Sequence, residues 1–316
     1  MTKPKSKLED SKPVWLIFYC LFGLGLFLTM LLQGADIALF NPKGLIAGEQ
    51  RNLIILTTVV MLLIAVPTIF LFYFFAWKYR ETNDKATYDP HTRHGKLFMF
   101  TVWAIPSVFM VVLGSIMWTS THKLAPQKPI ASDVKPLTIQ VVATRWKWIF
   151  IYPEEKIATV NFVQIPIDTP VTFQLTADEA PMSSFWIPHL SGQLYAMTGH
   201  VNHLNLMADT SGDYPGSSAE INGAGFAGMK FIARVSSKTI YDSWVQDIRT
   251  NSSSLSSTEY DRLISPSENN PAAFYALAET DLYDKVVMKY SGSHDHQAND
   301  DQTDNNHAQN HHMEHE

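Results

Sequence analysis

A single cysteine, Cys20, occurs in 316 residues. That count excludes a disulfide framework and any metal site built on paired thiolates. Charge is also sparse: 17% of residues are Asp, Glu, Lys or Arg, against 46% hydrophobic, with a net charge of −6. No basic stripe is present, which sets nucleic acid aside as a partner. Nor is there a glycine-rich nucleotide loop or a recognisable nucleophile–base pair. The balance is too apolar for a plain soluble enzyme and too polar for a many-span transporter. It implies a few membrane spans carrying a sizeable water-exposed part.

Three uncharged runs supply the spans: Val14 to Leu32, Leu53 to Trp77 and Leu97 to Trp118. Each can cross a hydrocarbon core of about 30 Å as a helix. Pro67 and Pro106 lie inside two of them, which membrane helices tolerate. Lys3, Lys5, Lys7 and Lys12 precede the first run, and Lys78, Arg80, Lys85, Arg93 and Lys96 separate the second from the third. The loop from Gln33 to Asn52 holds only Lys43 and Arg51. Positive charge therefore puts the N-terminus in the cytoplasm and the large C-terminal part outside. Trp77, Tyr79, Trp103 and Trp118 fall at the expected interfacial belts. The first run has two readings, a retained anchor or a signal sequence. In Leu31-Leu32-Gln33-Gly34-Ala35 an alanine stands where a lipid-modified cysteine would be needed, and bulky Tyr19 precedes Cys20, so the retained anchor is favoured.

Beyond a Pro- and Lys-containing connector, His122 to Lys135, the pattern changes. Leu137 to about Val235 alternates and is rich in β-branched residues, with turn signals at Pro153-Glu154, Asp168-Thr169-Pro170, Gly212-Asp213 and Asn222-Gly223. Short strands at that spacing predict a β-sandwich or barrel. Ile240 to Tyr290 returns to helical spacing and carries Tyr241, Trp244, Tyr260, Phe274, Tyr275, Tyr283 and Tyr290. The expected organisation is 1–52 anchor or signal-like segment and loop, 53–121 two-helix hairpin, 122–235 β domain, 236–290 aromatic-rich helical extension, and 291–316 a disordered His-rich tail.

Several stretches carry a resemblance. Ala-Trp-Lys-Tyr-Arg (76–80) closes one span and Val-Trp-Ala-Ile-Pro (102–106) lies in the next. Trp146-Lys147-Trp148 is followed by Phe-Ile-Tyr-Pro-Glu and Ile-Ala-Thr-Val-Asn (157–161), then by Ser-Phe-Trp-Ile-Pro (184–188), Gln-Leu-Tyr-Ala-Met (193–197) and Gly-Phe-Ala-Gly-Met-Lys-Phe (225–231). In order and spacing, from about Asn41 to Tyr290, the chain resembles the haem–copper oxidase subunit II family, and within it the quinol oxidase branch. The resemblance implies a membrane α-helical anchor of two to three transmembrane helices, an all-β cupredoxin-like sandwich on the periplasmic side, and a helical aromatic-rich C-terminal extension. It implies partners too: a haem–copper subunit I holding the haems and copper, with subunits III and IV, in the bacterial inner membrane with lipid and quinol.

Copper-bearing relatives hold two copper ions with Cys-x-Glu-x-Cys-x-x-x-His-x-x-Met and a distant histidine before Ser-Phe or Ser-Trp. Ser218 and Asn222 stand here at the cysteine positions, Phe226 at the histidine and Ser183 at the distant one; Glu220 and Met229 remain. A hydroxyl or a phenyl ring does not replace thiolate or imidazole for copper, so the resemblance implies a degenerate site with no metal and no cofactor in this chain. A quinol donor fits that loss, because a cytochrome c oxidase needs the copper pair at its periplasmic face. Trp146 and Trp148 are then read as packing residues.

Two smaller points remain. Many relatives carry a proton-entry glutamate four residues before the Trp of Trp-x-x-Pro, where this chain has Met99; Glu81, Asp84 and Asp89 stand on the same side, and nothing in the sequence selects among them. His189, His200 and His203 lie in the β domain; His200-x-x-His203 has metal-like spacing, but on a strand residues three apart face opposite ways. The tail histidines His294, His296, His307, His311, His312 and His315 offer weak, incidental affinity for divalent metals. The alternatives in other classes are a cytochrome c oxidase subunit II and a membrane-tethered cupredoxin-like metal-binding module.

Overall fold

The computed structural model describes residues 37–83 and 95–291, together with Gly23 and Gly25. The rest of the first apolar run, Asp84, Asp89 and the His-rich tail after Ser291 lie outside the described residues. The chain divides into two compact units, 1–41 and 42–316. In the first, the backbone N–H groups of Phe40 and Asn41 donate to the Ile37 carbonyl, closing a turn.

Two helices, α1 (Leu45–Lys78) and α2 (Lys96–Lys123), are long and apolar enough to cross a membrane, and their most apolar stretches are not buried within the chain. A soluble core helix would be covered by its own protein, so these surfaces require lipid or another subunit. Thr57, Thr68, Thr101, Ser107, Ser115 and Thr119 each return a hydroxyl to the carbonyl four residues back. Their polar groups are thereby satisfied inside the helix, as hydrocarbon demands. The loop expected over residues 45–52 is corrected: α1 begins at Leu45, so its first two turns stand beyond the charge-free run. Ala47, Leu45 and Lys43 donate backbone N–H groups to Leu190, Met207 and His189, and Asp209 returns one to Lys43, which seats the start of α1 on the β domain.

The β domain is a sandwich. Its larger sheet orders β11 (Ser253–Leu255), β12 (Ala273–Leu277), β3 (Ile157–Val160), β2 (Lys147–Tyr152), β1 (Leu137–Thr144), β5 (Val171–Ala177) and β8 (Asn202–Leu206). The smaller sheet orders β4 (Phe162–Pro166), β10 (Lys230–Ser236), β9 (Gly212–Ser218), β6 (Ser183–Trp186) and β7 (Leu194–Ala196). β1–β5 and β4–β10 are parallel, and the remaining neighbours within 137–236 are antiparallel. Asn161 carries the chain from β3 in one sheet to β4 in the other: it adopts φ 52°, which asparagine tolerates, and its side chain accepts from Trp148 N and donates to Asn270 O, both at 2.9 Å. Between the sheets Trp148, Phe150, Phe173, Phe185 and Phe231 interlock, Phe185 stacking on Phe231 at 5.1 Å.

The helical aromatic-rich extension expected over 236–290 is present, and it also carries two short strands. Helices α3 (Lys238–Asn251), α4 (Ser257–Ile264) and α5 (Leu282–Ser291) alternate with β11 and β12, which lengthen the larger sheet by pairing β12 to β3. The strands were missed because Ser-Ser-Leu and Ala-Phe-Tyr-Ala-Leu are too short to display a period of two. Tyr260, Ile264, Leu282, Tyr283 and Val286 then cover Ile149 and Ile151, on the face of the sheet away from the sandwich core. A polar knot secures this cover. Asp178, buried after β5, accepts hydrogen bonds from Tyr260 (2.8 Å), Tyr290 (2.7 Å) and Lys289 (3.0 Å). Burial and the Asp178 charge push the Tyr260 hydroxyl above its usual range, so it remains a donor.

Replacing Asp178 by alanine leaves the buried Tyr260 hydroxyl without its acceptor, and should cost about 2 kcal/mol. Thermal melting should fall and limited proteolysis should open the segment 256–291 first; an unchanged melt and digestion pattern would contradict the knot's role.

Candidate functional site

The positions singled out in the sequence converge at one end of the smaller sheet. Ser183 opens β6, Ser218 closes β9, and residues 219–229 loop over to β10. Two backbone bonds pinch the neck of that loop: Ser218 N donates to Met229 O at 3.1 Å and Ala219 N to Ser184 O at 2.9 Å. Inside it, Phe226–Gly228 makes one 3₁₀ turn.

The centre is occupied by Asn222. Its Nδ2 donates to Ser183 Oγ at 2.7 Å and to Met229 Sδ at 3.1 Å, and all three residues are buried. Asn222 Oδ1 makes no hydrogen bond among the described residues. Ser218 Oγ turns back to the Glu220 carbonyl at 3.1 Å. The Glu220 side chain points to solvent and Phe226 is half-buried. Of the six positions, Ser183, Asn222 and Met229 are therefore in direct side-chain contact, Ser218 stands at the neck, Glu220 faces solvent and Phe226 is half-buried on the 3₁₀ turn.

This donor set does not fit a pair of copper ions. Copper requires converging lone pairs from thiolate, imidazole and thioether. Here an amide N–H, the positive end of a dipole, is directed at the thioether and the serine oxygen. Among the described residues no three His, Cys, Asp or Glu side chains are grouped to hold a metal. His203 sits on β8, while His200 lies in the preceding turn with its Nδ1 3.2 Å from the Thr198 carbonyl; it is not on a strand as the sequence reading assumed. His189 is buried beside the Tyr214 ring, 5.5 Å away.

Trp146, Lys147 and Trp148 prove to have three different tasks. Trp148 is fully buried in the sandwich core. Trp146 is half-buried beneath the loop: its Nε1 donates to Asn222 O at 3.2 Å, and a side-chain carbon at Gly225 would come within 2.4 Å of its ring. Gly223, at φ 121°, takes a conformation that side chains disfavour and lies against the same ring. Lys147 turns toward the extension, where its ammonium donates to the carbonyls of Leu263 and Ser265 at the end of α4. Cations favour that helix terminus, although burial pulls the Lys147 pKa below its ordinary value. Sequence reasoning missed this tie; the signal was a charged residue inside an otherwise apolar strand, which demands a partner.

A cupredoxin-type sandwich whose ligand loop is bridged by a carboxamide, carried on two apolar helices, defines the class: a subunit II-like membrane protein. Residues 154–236 match the family described as cytochrome C oxidase subunit II, periplasmic domain, and residues 249–294 match the COX Aromatic Rich Motif. Cytochrome bo(3) ubiquinol oxidase subunit 2 of Pseudomonas putida is 47% identical over 273 residues, covering 86% of this chain and 87% of that protein. The protein of the same name from Pseudomonas aeruginosa is 44% identical, covering 86% and 82%. The crystal structure of the periplasmic domain of subunit II of cytochrome oxidase (CoxB) of Bradyrhizobium japonicum is 21% identical, at a TM-score of 0.35, over 38% of this chain and 95% of that one. The chain belongs to the haem–copper oxidase subunit II family, in the group of the ubiquinol oxidase subunit 2 proteins.

Replacing Asn222 by alanine removes both bonds of the bridge and should cost about 1–2 kcal/mol. Hydrogen exchange of residues 219–229 should accelerate while the core strands stay protected. Uniform exchange across the domain, or no change in the loop, would contradict the bridging role.

Proposed function

We propose that this chain is the non-catalytic subunit II of a proton-translocating quinol oxidase, in which a partner subunit I binds the haems and copper, oxidises quinol within the membrane and reduces oxygen to water. The observation that carries the reading is the Asn222 bridge: the four side-chain positions that would hold copper are Ser183, Ser218, Asn222 and Phe226, and the amide N–H of one of them is directed at Ser183 and Met229. Without an electron acceptor at its periplasmic face, the subunit has no reason to dock a soluble donor. The two-helix hairpin would pack against subunit I, with subunits III and IV completing a complex in the bacterial inner membrane. In this reading 53–121 is the membrane hairpin, 122–235 the copper-free periplasmic domain, and 236–290 its fixed cover.

Trp146 decides between donors. It underlies the loop and would be an electron-entry group if the chain served a cytochrome c oxidase; as a packing residue it matters for assembly alone. Truncation of a large aromatic typically costs a few kcal/mol, and Trp to Phe somewhat less. Trp146→Phe should therefore lower the yield or melting temperature of the complex and leave quinol-driven oxygen uptake per mole of haem within about twofold of the parent, roughly 0.4 kcal/mol in barrier. Reduced cytochrome c should be a poor donor for both. Robust cytochrome c oxidation that collapses in Trp146→Phe would overturn the proposal.

A further inference from the structure

A cavity of about 330 Å³ lies where the two apolar helices meet the β domain. It is lined by Glu49 from α1, by Lys123 and Lys128 from the end of α2 and the turn after it, and by the aliphatic Leu45, Ile46 and Leu204. The two helices fix its depth independently. Glu49 lies four residues before the charge-free run begins at Leu53, which is about 6 Å of helix, and Lys123 lies five residues after Trp118, about 7.5 Å. Beyond a hydrocarbon core of about 30 Å, a bilayer of roughly 40–45 Å leaves a headgroup layer of about 5–7.5 Å on each side. Glu49 and Lys123 therefore fall in the outer part of the headgroup layer, within a lysine side chain's reach of lipid phosphates.

The cavity's chemistry matches that level. Lys123 and Glu49 pair at 2.9 Å with both side chains substantially exposed, at 63% and 42%. An ion pair so open to water is weak, so the ammonium can exchange its partner. Lys128 makes no ion pair among the described residues, and the lining is left with one excess positive charge. The aliphatic lining suits the first carbons of the acyl chains, and the bare Gly192 lets the Gln50 amide pack against it, where a side-chain carbon would come within 2.9 Å of that amide. The volume falls in the range of small-molecule sites.

We propose that this cavity binds the headgroup of an anionic phospholipid, its phosphate between Lys123 and Lys128 and the first carbons of its acyl chains against Leu45 and Leu204. The inference rests on α1 and α2 being membrane spans. Basic pockets beside membrane helices take lipid phosphates, and each lysine near the surface contributes about fivefold in affinity.

Native mass spectrometry of the full chain, titrated in detergent with phosphatidylglycerol or with diacylglycerol, tests it. Phosphatidylglycerol should bind at least tenfold more tightly than diacylglycerol. Lys128→Gln should weaken it about fivefold, and Glu49→Gln, which removes the competing carboxylate, should strengthen it. Equal binding of the two lipids, unchanged affinity in both variants, or displacement by millimolar inorganic phosphate would overturn the site. Alkaline carbonate separates the premises: release of the chain from membranes would overturn the spans and the site together, whereas retention with unaltered affinities would overturn the site alone.

Discussion

Strand β2 is buried on both faces, and the periplasmic part of the molecule is arranged to keep it so. All six of its residues, Lys147 to Tyr152, are sealed from water. Side chains of a strand alternate between faces, so Trp148, Phe150 and Tyr152 enter the core between the sheets while Ile149 and Ile151 face the other way. A lone sandwich would leave those isoleucines in solvent, at a cost of about 1.5–3 kcal/mol for each large side chain. The aromatic-rich extension exists to cover them. It does so by adding two strands to the sheet, laying α4 and α5 across it, and tying both ends with charge: Lys147 to the end of α4, Asp178 to Tyr260, Lys289 and Tyr290.

The same constraint links this cover to the loop after β9. Trp146, Lys147 and Trp148 sit side by side on one short stretch, one supporting the loop, one the extension, one the core. In a copper protein the metal itself cross-links β6 to the loop after β9. Here that cross-link is a hydrogen bond from Asn222 to Ser183 and Met229, weaker than a metal bond but enough beside a loop neck already pinched by backbone bonds. Under the proposed function the scaffold serves assembly alone.

Much of this was legible in the sequence, for physical reasons. Hydrocarbon admits only long uncharged helices, so Leu53–Trp77 and Leu97–Trp118 are visible in the composition alone. That Ser183, Asn222 and Met229 would meet was suggested by the resemblance, and the structure brings these three together. What stayed hidden depends on partners distant in the chain. The first turns of α1 read as loop because Glu49, Gln50 and Arg51 are polar, yet the helix continues through them and seats on the β domain. β12 was hidden because its strand character comes from pairing with β3 rather than from its own residues. Lys147 and Asp178 carried no motif; only the folded chain reveals what each one holds.

The central claim, that this periplasmic domain holds no copper pair, is tested most directly by elemental analysis and near-infrared absorption of the full chain exposed to copper and then desalted. The tail residues His294, His296, His307, His311, His312 and His315 should first be replaced by alanine, so that incidental tail binding is absent. Copper should then be far below stoichiometric, with no thiolate-to-copper or mixed-valence band. A stoichiometric pair of copper ions bound by that chain, lost on Met229→Leu, would contradict it.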